Sequence, residues 1–284
     1  SRGLGDVYKR QHIGIGISID GDRKCHDLQR TFVSGKGSYD TVKKNLLQAQ
    51  RYYKNKIGTI TTITKQTAVH IEKIIEHLVL DLHISNIKLN FVHASTYTHG
   101  QNQCLNTQEI ADTELRILYK IIELQERGYD VMEHNIFIKL KNLLFREYAD
   151  ICLSCGCCGG EKMIVFDMDG NIYPCELTDD ASFVIGSIYK KESLIEQIKM
   201  TIDKDKAFFK MKKAVECEKC YWKFFCRGGC TVRALSEKRQ MEVIDIDHIE
   251  CAINQVLYPA LMELVLRKPH IVNQMLGEDL LVDE

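Results

Sequence analysis

Ten of the twelve cysteines fall between Cys152 and Cys251, at spacings that suit metal ligation. The tightest group is Cys217-x2-Cys220-x5-Cys226-x3-Cys230, with Gly228-Gly229 just before its last member. Glycines let the backbone approach a bound group and turn N–H groups toward sulfur. Upstream stand Gly170-x4-Cys175 and a clump, Cys152, Cys155, Cys157 and Cys158; downstream, Cys251 stands alone at the head of an apolar stretch. Together they can supply two four-thiolate sites. Disulfides need an oxidising compartment, and no signal peptide is visible to suggest one. Structural zinc suits Cys-x2-Cys pairs. The x5 and x3 spacings and the surplus thiols suit iron–sulfur clusters equally.

The elements that must position these thiols fall into two rhythms. His12–Gly21 alternates Ile with small residues and predicts a strand that ends at a functional turn. Ser38 to about Asn55 has helical spacing, Ile57–Thr64 is a β-branched strand, and Thr67–Asp81 predicts a helix capped by Thr67. Asn86–Val92 is a third strand, and Thr107–Arg127 a long helix opened by Thr-x-x-Ile. Strands alternating with helices of crossover length predict an α/β fold with a parallel sheet. After Asp150 the rhythm changes. Glu161–Phe166 and Asn171–Tyr173 flank a turn at Asp167–Gly170 and predict a hairpin, with helices near Ser193–Lys213 and Ile249–Arg267. Residues 1–11 show no periodicity and read as an artefactual or disordered tail. The pattern begins abruptly at His12, as though the coding sequence continued upstream.

The cysteine pattern resembles the SPASM extension of radical S-adenosylmethionine enzymes. Cys157-x12-Gly170-x4-Cys175, then Cys217, Cys220, Cys226 and Cys230, then Cys251 match it in order. Ile17-Ser18-Ile19-Asp20-Gly21, His26-Asp27-x-x-Arg30 and Gly35-Lys36-Gly37-Ser38-Tyr39 look like the fourth strand and following loop of the barrel in these enzymes. The likeness covers about residues 12–260. It implies the C-terminal part of a radical SAM partial (β/α)6 barrel over 12–150, a small SPASM iron–sulfur domain over 151–260, and a helix end and tail over 261–284.

By the same resemblance, two auxiliary 4Fe–4S clusters are expected. Cys175 and Cys230 would join members of the clump, among them Cys152, Cys157 and Cys158, at the first. Cys217, Cys220, Cys226 and Cys251 would hold the second. The third cluster of such enzymes sits on Cys-x3-Cys-x2-Cys, and no cysteine here has partners at both +4 and +7. S-adenosylmethionine and that cluster are therefore expected only in a longer parent protein, and this chain by itself is expected to be inactive. In the parent, the cluster would reduce S-adenosylmethionine to a 5′-deoxyadenosyl radical that takes hydrogen from a peptide.

Smaller sites follow the resemblance. Ser18 matches a cofactor-contacting serine. Asn90 and His93 end the third strand, where barrel chemistry gathers. Asp20 and Arg30 either line the cavity or order the loop. Cys25 and Cys104 read as bystander thiols. Tyr221, Trp222, Phe224 and Phe225 are expected to sheath a cluster from water. Glu176 stands where anaerobic sulfatase maturases carry an Asp base, a departure from that subgroup. The leading expectation is a maturase that installs a thioether in a short Cys-containing precursor peptide, with flavodoxin or ferredoxin as electron donor. Sulfatase maturation or quinone-cofactor peptide maturation is the alternative, and a zinc-binding interaction module is the alternative of another class. Basic and acidic residues balance at 38 against 39, which gives no nucleic-acid or polybasic membrane footprint. No apolar run reaches the roughly 18 residues of a membrane span. A reducing cytoplasm is expected.

Overall fold

The computed structural model describes residues 14–53, 56–92, 101–146, 152, 157, 159–160, 162–178, 181–204, 215–238 and 246–277. They form two compact units. The first gathers the chain up to Val92, Gln103–Leu140 and Pro259 onward; the second comprises His93–Asn102 and Lys141–Tyr258.

The first unit is built on four parallel strands in the order β1 (Ile15–Ser18), β2 (Ile57–Ile63), β3 (Asn86–Phe91), β4 (Met132–Glu133). Between β1 and β2 lie α1 (Arg23–Asp27) and α2 (Tyr39–Tyr52); between β2 and β3 lie α3 (Lys65–Ala68) and α4 (Ile71–Glu76), which runs into a π-helical turn at His77–Asp81. α5 (Thr107–Glu126) crosses to β4, followed by α6 (His134–Phe145). The alternation expected from sequence is present for all three long strands.

One sheet face is sealed: Thr59, Thr61, Ile63, Ile87, Leu89 and Phe91 are all buried. α4 and α5 pack together, and α12 (Pro269–Leu276) packs on α5. Fully buried Ile71, Ile75, Ile117, Ile121 and Val272 line these helices. Burying each such side chain contributes about 1.5–3 kcal/mol. Arg116 clasps Glu72 at 2.6 and 2.5 Å, and Lys120 reaches Glu76 at 2.6 Å, so ion pairs also tie α5 to α4.

Several local expectations change. The helix expected over Thr67–Asp81 breaks into α3, α4 and the π turn. Its cap is Thr64, because the Thr67 hydroxyl turns back to accept the Thr64 N–H at 2.9 Å. The cap of α5 is Asn106, not Thr107: Asn106 Oδ1 accepts from Glu109 N and Glu109 Oε2 from Asn106 N, both at 2.8 Å, a reciprocal box. β4 was not expected. It pairs for only two residues, Asn86↔Met132 and Ile87↔Glu133. Beyond them side chains continue the ladder: Glu133 Oε1 accepts from Leu89 N at 3.0 Å, and Asn135 Nδ2 donates to Leu89 O at 2.8 Å.

The second unit carries a three-stranded antiparallel sheet, β5 (Val165–Phe166), β6 (Asn171–Tyr173) and β7 (Gly186–Ser187). The hairpin at Asp167–Gly170 is present, with Asp167 Oδ1 accepting from Asp169 N and Asn171 N. Gly170 has φ +75°, and a Cβ there would lie 2.7 Å from Ile188 and Tyr189. β7 is an addition to the expected pair. α7 spans Leu194–Lys204; the remainder of the helix expected to Lys213 lies outside the described residues, as do 1–13. Then come α8 (Val215–Glu218), α9 (Lys223–Cys226), α10 (Thr231–Lys238) and α11 (His248–Arg267). By length and composition alone α11 is apolar enough to cross a membrane, with mean hydropathy 1.3, contrary to the expectation drawn from uninterrupted apolar runs, because its few charged residues are spread among the apolar ones. Its Leu257, Tyr258 and Leu261 have no exposed surface, while Leu266 is 80 % exposed.

Candidate functional site

Two clusters of sequence-predicted residues have a definable geometry, one in each unit.

In the first unit the unsealed face of the sheet presents Gly16 and Ser18 from β1, Gly58, Ile60 and Thr62 from β2, and Asn86, Lys88 and Asn90 from β3. Ser18 pairs in register with Ile60 and Ile60 with Lys88; Thr62 pairs with Asn90. Strand alternation therefore puts Ser18 and Asn90 on one open face toward the C-terminal ends of parallel strands, and adds Thr62, which the sequence reading did not single out. His93 lies outside the described residues.

The loop after β1 is rigidly tied. Asp20 is fully buried and ion-paired with Arg30. Its Oδ1 accepts from Thr62 N at 2.8 Å, and Gln29 Nε2 donates to Thr62 O at 2.8 Å. His26 Nδ1 accepts from Asp20 N at 3.1 Å, and its Nε2 meets Ser38 Oγ at 3.0 Å. Of the two readings of Asp20 and Arg30, the geometry shows the loop-ordering one. Burial, with smaller contributions from Asp22, pushes the Cys25 thiol up to about 11, which suits an inert packed cysteine.

In the second unit the turns around the cysteines are tight. Cys220 N donates to Cys217 O at 3.2 Å, Cys226 N to Trp222 O at 2.8 Å, and Gly229 N to Cys226 O at 3.2 Å. Arg227, Gly228 and Gly229 are all left-handed, with φ of 54°, 96° and 74°. That reversal carries the chain from Cys226 to Cys230 at the head of α10. Cys251 lies in the first turn of α11. Burial raises its thiol, and the charges of Cys220 and Cys217 raise it further. Gln255, one turn on, donates Nε2–H to Cys220 Sγ at 3.7 Å. Hydrogen bonds of this kind tune sulfur ligands.

Cys175 is buried, and after burial the charge of Cys157 is among the effects that raise its thiol. Gly160 N donates to Pro174 O at 3.0 Å, docking the end of the cysteine clump beside Cys175. Thr178 Oγ1 donates to Cys175 O at 2.5 Å. Glu176 points into solvent. Cys152 is exposed, and Cys155 and Cys158 lie outside the described residues. Among the described residues no three His, Cys, Asp or Glu side chains are placed to hold a single metal ion.

Of the four aromatics expected to sheath a cluster, two pack against another ring. Trp222 stacks on Tyr258 at 5.3 Å between centroids, and Phe225 meets the same ring at 5.3 Å. Asn142 Nδ2 holds Phe225 O and the Tyr258 hydroxyl, each at 3.1 Å. Tyr221 and Phe224 instead face solvent, 92 % and 70 % exposed, because neighbours in these short turns point to opposite sides.

No protein-family profile matches the chain. It is 26 % identical over 226 residues to a cysteine-type anaerobic sulfatase-maturating enzyme of Clostridium novyi (strain NT), covering 78 % of this chain and 59 % of that protein. It is 22 % identical to the enzyme of the same name from Clostridium perfringens (strain 13 / Type A), covering 76 % and 57 %. The chain thus spans somewhat under three-fifths of the length of these curated relatives. Among solved structures, native anSMEcpe with bound AdoMet and Kp18Cys peptide superimposes with a TM-score of 0.78 at 19 % identity, covering 93 % of this chain and 72 % of that one. Native anSMEcpe with bound AdoMet gives 0.76 at 19 % identity, covering 94 % and 72 %. The fold is therefore the α/β fold of anSMEcpe, with its parallel sheet.

Proposed function

We propose that the chain is part of a radical SAM maturase of the sulfatase-maturating kind, acting on a peptide segment of its protein substrate. The observation that carries the reading is that the helix bearing Cys251 lies beside the Cys217–Cys220 turn, with Gln255, one turn beyond Cys251, donating to Cys220 Sγ at 3.7 Å. The donor set is sulfur throughout and partly buried, which fits an iron–sulfur cluster. Cys217, Cys220, Cys226 and Cys251 hold one auxiliary cluster. Cys175 and Cys230 hold the other with Cys157 and one of Cys152 or Cys158. Such groups, when bound, exchange single electrons. The chain's own residues shield them from water through Trp222, Phe225 and Tyr258, and hold the sulfurs in place.

On the open sheet face, Ser18 and Asn90 contact S-adenosylmethionine in a parent protein whose upstream segment supplies the Cys-x3-Cys-x2-Cys loop. A flavodoxin or ferredoxin in a reducing cytoplasm supplies electrons. The relatives' names favour sulfatase maturation over the thioether chemistry expected from the family resemblance. Thioether formation is the second reading. It is supported by Glu176 at the position where the sulfatase maturases are expected to carry Asp.

Anaerobic reconstitution followed by metal analysis tests the site. About eight iron and eight acid-labile sulfide per chain are expected, four of each per cluster. Two zinc ions without labile sulfide would replace this reading with a structural zinc module. The neighbouring DNA separates the two chemistries. A sulfatase gene beside the parent is expected, and a short Cys-rich reading frame in its place would favour the thioether.

A further inference from the structure

Asp247 is where the two cysteine segments meet. Its fully buried carboxylate accepts Cys230 N at 2.7 Å and the Arg233 guanidinium at 2.9 and 2.6 Å through Oδ2, and Glu250 N at 3.1 Å through Oδ1. Its main-chain carbonyl accepts Cys251 N at 2.9 Å. One residue therefore holds the backbone of Cys230 by its side chain and that of Cys251 by its main chain. The contact leaves no spare room: a Cβ on Gly229 would lie 2.7 Å from Asp247 Cβ. Arg233 Nη2 also reaches Glu250 Oε2 at 3.2 Å, and Asn254 Nδ2 donates to Glu250 Oε1 at 3.2 Å, so the cation is fixed from two sides.

We propose that Asp247 and Arg233 are a positioning pair shared by both thiolate sites, and that their opposite charges shift the reduction potential of the cluster held through Cys230 in opposite directions. The proposal rests on the cluster reading above. Reduction adds negative charge to a cluster. In a low-dielectric setting a nearby cation favours that step and a nearby anion opposes it. Neither residue touches the reacting atoms; each acts through Cys230.

The test uses the full reconstituted chain, with potentiometric titration followed by electron paramagnetic resonance and with iron and sulfide content measured alongside. Asp247→Asn is expected to move one cluster to higher potential, and Arg233→Gln to move the same cluster to lower potential. Arg233→Lys, which keeps the charge, is expected to stay near the wild type. The cluster held through Cys251 is expected to move less than the one held through Cys230 in all three. A merely structural pair would loosen both sites alike, so same-sign shifts, or unmoved potentials in fully loaded protein, overturn the proposal. Should Arg233→Gln fail to fold by circular dichroism, the Asp247→Asn and Arg233→Lys pair still decides it. An unmoved Asp247→Asn potential refutes the proposal. Wild-type chain without labile sulfide is a separate result that sinks the cluster reading itself.

Discussion

Cys251→Ala is expected to cut the iron of the reconstituted chain from about eight atoms to about four, with the first cluster still present. The sulfur is half-buried in the first turn of α11, and Gln255 on the next turn donates to Cys220 Sγ at 3.7 Å. The packing of that helix is carried elsewhere, by Ile253, Leu257, Tyr258 and Leu261, so the change removes a ligand without opening the core. Iron and sulfide analysis beside far-UV circular dichroism reads both effects at once. Cys104→Ser, in the other unit, serves as the control and keeps all eight. Retention of full iron by Cys251→Ala would show that this thiol is not a ligand. Loss of all of it would show that the two sites do not load independently.

Stability is expected to fall as pH rises from about 4.5 to 7, because of Glu133. This carboxyl is only 2 % exposed, and burial pushes it up to about 7, against the opposing pull of the Ile136, Leu89 and Asn135 N–H groups. A raised folded pKa means that the folded state binds the proton more tightly than the unfolded chain. The contribution is complete below the unfolded value near 4.5 and is lost as pH climbs through 7. The full swing is about 3 kcal/mol. Urea midpoints at pH 5 and pH 8 measure it, and the difference between wild type and Glu133→Gln isolates this group from other titrations. An identical pH dependence in the two proteins would exclude Glu133 as the source.

What was legible in the sequence follows from which interactions are local. β2 announces itself through a β-branched run and β3 through polar and apolar residues that alternate, and the parallel arrangement follows from helices of crossover length between them. The shared face of Ser18 and Asn90 follows from that alternation once the register is known. β4 was invisible because two residues carry no period. It exists through Leu89, whose N–H and C=O are taken by Glu133 and Asn135 from more than forty positions away. The caps were misplaced by one to three residues because Thr64 and Thr67, or Asn106 and Thr107, are chemically interchangeable until the backbone direction is set. The cysteine grouping was legible because thiols at fixed spacing have few other uses. Asp247 was not, because an Asp carries no signal until the chain folds it against Cys230, seventeen positions earlier.

The glycines of the open sheet face separate two properties that mutagenesis usually confounds. Gly16 and Gly58 pair in register, and neither has a left-handed backbone. A Cβ on Gly16 would meet nothing closer than Ile60 Cδ1 at 3.6 Å, and one on Gly58 nothing closer than Asn86 O at 3.4 Å. The sheet itself therefore tolerates a methyl group at Gly16, and at Gly58 with at most a slight adjustment. What that methyl occupies is the floor above the strands. Alanine at these two positions is a gauge of vacant volume: any loss of ligand affinity there reports on space the ligand needs, with folding held constant.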